Sequence, residues 1–328
     1  MTERWRGNRW IHYCLVLTGV LVLVFSWLRN PGTIRSAFYT VFREGSRIAL
    51  DFQHRGQHLM ESEHFRVRYG ERDAEAAALV LAIAEEIYDP INQNLGYEPN
   101  RKVPIIIYPT NDSLTGSFGW PADEGALGVY WVGSIRILSP SAWATSDEGK
   151  IDPEIFRTTG PISHEYTHYV IDYLTGGNYP RWFTEGVAQW EEKKLTGFAF
   201  SNPFTELYQQ SCRSSQQRFE PKSIAEPRGQ EWQEWVYQEL YPLKEMDTGF
   251  DYLPNQMLAY WESLMAVKYI NTVYSSECLS QIIKCLSQGE HINQALKQTT
   301  GADLAQFDAD FRAWAADQAA RESIAHNN

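Results

Sequence analysis

His164-Glu165-Tyr166-Thr167-His168 places two imidazoles four residues apart, with a carboxylate directly after the first. On an α-helix, positions i and i+4 share a face, so both rings can converge on one cation while Glu165 reaches a water bound beside it. Ile162, Tyr169, Val170 and Ile171 surround the motif, so the run is apolar and helical in pattern. A hydrolytic zinc site takes three protein ligands and keeps one position open, which leaves this pair one ligand short. Glu185, in Pro180-Arg181-Trp182-Phe183-Thr184-Glu185-Gly186-Val187-Ala188, is the candidate. A helix ending at Gly176-Gly177 and a second beginning near Pro180 would bring that carboxylate back over the first helix. Asp172 follows His168 by four residues and reads either as a hydrogen-bond support for a ligand or as a solvated helix-end acid. Glu191 and Glu192 read as a wet helix face.

The elements that would position these groups follow from periodicity. His64–Tyr69 alternates as a strand, Asp73–Leu95 is an Ala- and Leu-rich helix, and Val103–Tyr108 is a short buried strand. Gly128–Trp131 and Ser134–Leu138 flank a Val132-Gly133 turn and predict a β-hairpin. Pro153 to about Leu174 predicts one continuous helix, and residues 256–314 predict three or four helices separated near Ser276, Gly289 and Gly301. Residues 30–60 predict a helix or helix pair. The fold class is therefore α+β, a small mixed sheet with a helix packed on it and a helical C-terminal half.

HEYTH followed by PRWFTEGVA resembles the gluzincin metallopeptidases, most closely the peptidase MA-like group, whose signature is HExxH and then P-x-W-x-x-E-G-x-A. The resemblance covers about residues 63–315 and is specific over 161–192. It implies a zincin, thermolysin-like fold, one zinc ion per chain held by His164, His168 and Glu185, and Glu165 as catalytic base. It implies also that an edge strand beside the site pairs with an extended substrate, a role that falls to Ser134, Ile135, Arg136 and Ile137. Tyr260, at the start of the helix after the site, is the candidate second donor to a developing oxyanion. Thermolysin-like members carry an acid four residues after the third ligand, where it braces a ligand histidine; Gln189 stands there in this chain, so Asp172 or a backbone carbonyl is expected to supply the brace.

Residues 10–28 run for 19 positions without a formal charge, roughly 28 Å as a helix, preceded by Arg4, Arg6 and Arg9 and closed by Arg29. No small-x-small cleavage pattern follows, so an uncleaved transmembrane anchor is expected, with residues 1–9 cytoplasmic and the body outside. The expected order is anchor 10–28, helical linker 29–62, catalytic part 63–196 and helical part 197–328. The 328 residues carry 29 Lys+Arg against 41 Asp+Glu, a net charge of −12 that argues against nucleic acid as a partner. Cys278 and Cys285 lie seven apart in a helical pattern, too far for a disulfide. The reading is a membrane-anchored zinc peptidase acting on peptides or proteins. A catalytically silent zinc-containing peptide-binding domain and a zinc hydrolase of a non-peptide amide or ester are the alternatives.

Overall fold

The computed structural model describes residues 31–121, 125–209 and 229–325, with Thr18, Gly19 and Val22. The expected anchor over 10–28 therefore lies outside the described residues almost entirely, as do Cys14 and Cys212. Among the described residues no helix is long and apolar enough to cross a membrane.

A helix α1 (Pro31–Gln53) leads into strand β1 (His58–Glu61) and strand β2 (Phe65–Tyr69). Helix α2 (Ala74–Leu95) crosses to β3 (Val103–Tyr108), and a short α3 (Asn111–Gly116) precedes the hairpin of β4 (Gly128–Trp131) and β5 (Ser134–Leu138). The five strands form one mixed sheet in the order β1-β2-β3-β5-β4. The inner pairs β2/β3 and β3/β5 are parallel, whereas β1 and β4 are antiparallel edges. The hairpin has the expected bounds, and its turn is built on Val132 and Gly133, both at positive φ.

Alternation in β3 sorts its side chains. Val103, Ile105 and Ile107 join Phe65, Ile135 and Ile137 in the core under α2, while Ile106 and Tyr108 face a smaller cluster with Leu50 of α1 on the opposite side. Helix α2 contributes Ala76, Ala77, Val80, Ala84, Ile87 and Ile91 to the larger core, and Gly96 in the left-handed region ends it.

Two expectations are corrected. The helix expected from Pro153 to Leu174 is two, α4 (Pro153–Thr159) and α5 (Ile162–Thr175). Gly160 sits in extended backbone (φ −77, ψ 150), as a residue before proline prefers, and Pro161 starts the new direction. Residues 58–61, expected within a helical linker, form β1, because His58–Glu61 pairs in register with Tyr69–Arg66.

Helix α6 (Arg181–Thr196) packs on α5, and among the described residues that follow, the elements are helical: α7 (Gly229–Glu239), α8 (Glu245–Thr248), α9 (Gln256–Tyr269), α10 (Ser276–Ser287), α11 (Ile292–Thr300) and α12 (Leu304–Ala325). Their side chains make a second core around Trp182, Phe183, Val187, Met265, Phe307 and Phe311. Gly186 permits α6 and α9 to approach closely, since a Cβ there would lie 2.2 Å from the Ser263 carbonyl oxygen of α9. Cys278 and Cys285 are free thiols.

Candidate metal centre

Helices α5 and α6 turn a polar seam toward each other. His168 Nε2 lies 3.1 Å from His164 Nε2, His164 Nε2 lies 3.2 Å from Glu185 Oε2, and His168 Nε2 lies 3.4 Å from the same oxygen. A tetrahedral zinc with bonds of about 2.0–2.1 Å needs its ligand atoms about 3.3–3.4 Å apart, so these three atoms already mark one face of such a site. They form a group able to hold a metal ion.

The tautomers suit the same purpose. His164 Nδ1 lies 3.2 Å from Glu192 Oε2 and His168 Nδ1 lies 2.7 Å from the Thr184 hydroxyl. With each Nδ1–H donating outward, both Nε2 lone pairs face the centre. Glu185 divides its oxygens likewise: Oε2 meets the imidazoles while Oε1 meets Arg181 Nη2 at 3.0 Å. Glu165, Glu185 and Glu192 are all buried, against one guanidinium and two imidazoles. Three carboxylates and one arginine leave two negative charges in the seam when the rings are neutral, and a divalent cation matches that excess.

Burial alone would raise the pKa of Glu185, yet the Arg181 and His168 charges with the bonds to both imidazoles hold it well below the usual carboxylate range. For His164, burial works to lower the pKa, but the hydrogen bonds to Glu185 and Glu192 outweigh it and the net shift is well upward. Burial raises Glu165, with His164 and His168 offsetting part of the effect.

Glu165 is fixed by the edge strand, because the Tyr130 N–H of β4 donates to its Oε2. Gly128, two residues earlier, makes this approach possible: a Cβ there would lie 2.6 Å from Pro161 Cβ and 3.1 Å from Glu165 Cγ. Gly128→Ala is expected to push β4 away from α5 and lower turnover by about tenfold to a hundredfold, the scale of a misplacement near 1 Å, with zinc content unchanged. Steady-state kinetics beside metal analysis of the variant checks this.

Tyr260, expected to donate to an oxyanion, is half-buried on α9. The Glu185 charge is the largest influence raising its pKa, burial comes next and Glu165 adds to it, while Arg181 lowers it. Its ring packs edge-on to Phe250 at 5.3 Å between centroids and tilts against Phe200.

Two expected roles do not survive. Asp172 bonds no imidazole: its carboxylate accepts from Arg43 Nη1 of α1 at 2.8 Å, from the Tyr130 hydroxyl at 2.6 Å and from the Tyr179 hydroxyl at 3.2 Å. It thereby ties α1 and β4 to α5. The strand of Ser134, Ile135, Arg136 and Ile137 is not an edge, since β3 pairs it on one side and β4 on the other. Ser134, Ile135 and Ile137 are buried, and Arg136 Nη1 donates to Ser117. The strand with an unpaired side next to the seam is β4.

Glu192, expected on a wet helix face, joins the seam instead. It is 6% exposed rather than wet, and Glu191 is 2% exposed, bonded to Asn94 Nδ2 at 2.7 Å. A signal was present: Glu192 follows Glu185 by seven residues, about 20° off its helical face, whereas Gln189 is about 40° off. Gln189 instead donates to the Tyr260 carbonyl at 2.8 Å. Glu192→Gln is expected to weaken zinc binding by about 10–100-fold, the usual loss for an outer partner of a ligand histidine, as competition with a chromogenic chelator measures.

No family model matches the sequence, and neither does any curated protein. Among solved structures, the chain is similar to a point mutant of an M1 zinc metallopeptidase from Deinococcus radiodurans, with 11% identity and a TM-score of 0.34. The superposition takes in 81% of this chain and 50% of that one, so the chain spans half the length of the structure it matches.

Proposed function

We propose that this chain is a zinc-dependent peptidase, held at a membrane by residues 10–28 with its N-terminus cytoplasmic and its body on the far side. The observation that carries the reading is the triangle of His164 Nε2, His168 Nε2 and Glu185 Oε2, with Glu165 pinned beside it against an edge strand. Zinc, when bound, supplies a Lewis acid for a carbonyl oxygen and lowers the pKa of water toward about 7.

The chain's own groups supply the rest. Glu165 takes a proton from the attacking water and returns it to the leaving amine, which balances the hydrolysis of an amide. The Tyr130 N–H holds one carboxylate oxygen, so the other is free to face the water. Tyr260 is protonated at neutral pH and donates its hydroxyl to the oxygen that gains charge. An extended peptide adds beside β4, where main-chain pairing gives affinity with little sequence preference.

Charge refines the substrate class. Taking the four arginines and one glutamate of residues 1–29 from a net −12 leaves −15 on the body, which disfavours acidic peptides over neutral or basic ones. The test is digestion of neutral extended peptides by the zinc-loaded chain, read as new termini by mass spectrometry. A zinc-loaded chain that generates none would overturn the reading in favour of a silent peptide-binding domain.

A further inference from the structure

Helix α1 turns two unlike faces outward and inward. On the inner face Arg43 is 4% exposed and pairs with Asp172 of the active-site helix, and Leu50 is 7% exposed in the cluster behind the sheet. Gly176 and Gly177, at the end of α5, let this face come close: a Cβ on Gly177 would lie 2.6 Å from the Tyr39 ring. On the outer face Phe38, Val41, Phe42, Ile48 and Phe52 are 72%, 73%, 60%, 64% and 65% exposed. Their spacing is helical, so they form one stripe about 21 Å long. Contiguous apolar surface of that kind marks an interaction site.

Charge is sorted along the same helix. Its only acids, Glu44 and Asp51, are turned into ion pairs, Glu44 with Arg47 and Arg101, Asp51 with Arg66 and Arg68. The exposed charges beside the stripe are basic, Arg35 on the helix and Arg55 two residues past its end, and the Arg55 guanidinium sits 4.2 Å from the centroid of the Phe52 ring. An apolar face rimmed by arginines, on a chain of net charge −12, has the chemistry of a helix lying at a lipid surface. The 19-residue uncharged run of residues 10–28 ends three positions before Pro31, which puts the start of α1 at the level where such a run would leave a bilayer.

We propose that α1 lies along a lipid bilayer surface, with Phe38, Val41, Phe42, Ile48 and Phe52 among the acyl chains. The Arg43–Asp172 pair on its other face then holds the active-site helix at a fixed orientation over that surface. The proposal rests on residues 10–28 entering the same bilayer and is independent of what the seam hydrolyses.

The experiment places the full chain in vesicles of phosphatidylcholine and phosphatidylglycerol in equal parts. Photoreactive benzoylphenylalanine replaces Phe38, Phe42 or Phe52 one at a time, with Tyr252, 89% exposed on the helical half, as the off-stripe control. The variants sit on the surface, so folding is unaffected. Phospholipid adducts at 38, 42 and 52 and none at 252 are expected. Crosslinks to a second chain would overturn the proposal in favour of a dimer. Crosslinks to residues 1–30 or 210–228 of the same chain would overturn it in favour of an internal cover. Flotation of the chain without adducts at the stripe, or with equal adducts at 252, would overturn it while leaving the anchor and the peptidase reading intact. Failure of the chain to float with the vesicles would remove both the anchor and this proposal.

Discussion

Glu165→Gln is expected to lower peptide hydrolysis by about 10²–10⁴-fold while the protein keeps its zinc, because the change removes a base and leaves every metal ligand in place. The amide retains the shape of the side chain and can still accept the Tyr130 N–H through its carbonyl oxygen. Helix α5 and strand β4 should therefore keep their spacing. The measurement is kcat and KM on one peptide, with zinc content determined on the same preparation. A fall confined to kcat marks a group that acts in the transition state; a rise in KM alone would make Glu165 a binding residue. Loss of zinc together with activity would mean that Glu165 holds the metal.

Glu185→Ala carries the opposite expectation, loss of the metal first. It removes one vertex of the ligand triangle and leaves Arg181 without its 3.0 Å carboxylate partner. Zinc affinity should fall by more than about 100-fold, beyond the loss typical of an outer partner. Metal-dependent stability should fall with it. A ligand at about 100 times its dissociation constant stabilises a folded chain by about 2.7 kcal/mol, and the variant should forfeit that gain at the same zinc concentration. Thermal unfolding with and without zinc reads the difference: the wild-type midpoint rises with zinc, the Glu185→Ala midpoint does not. An equal rise in both would place the metal elsewhere.

Much of this arrangement is legible in the residues, for local reasons. A four-residue spacing on an apolar helix determines the direction of both imidazoles, and the Gly176-Gly177 turn determines that the next helix folds back with Glu185 over them. The bounds of the hairpin and of Val103–Tyr108 follow from alternation and turn residues, which act within a few positions. What escaped depends on partners far apart in the chain. Asp172 lies four residues after His168, but a helix advances about 100° per residue, so it has rotated about 80° from His164 and meets Arg43 of α1, 129 positions earlier. Which strand of the hairpin is the edge was set by the parallel pairing of β5 with β3, a contact between non-consecutive strands. Composition carries no trace of that pairing: Gly128–Trp131 holds Val129, Tyr130 and Trp131 with no charge, while the more buried Ser134–Leu138 holds Ser134 and Arg136. Glu192 looked like a wet helix face because a buried carboxylate is disfavoured until its partner, the His164 Nδ1–H, is in view.

The central claim is that one zinc ion in the His164, His168 and Glu185 triangle makes this chain a peptidase. Its most direct test is a titration: metal-free full-length protein is supplied with zinc in steps, and cleavage of a neutral extended peptide is followed by mass spectrometry at each step. New peptide termini should be absent without metal, increase in proportion to added zinc, and level off at one zinc per chain. Cleavage by the metal-free protein, or a chain saturated with one zinc that produces no new termini, would contradict the claim.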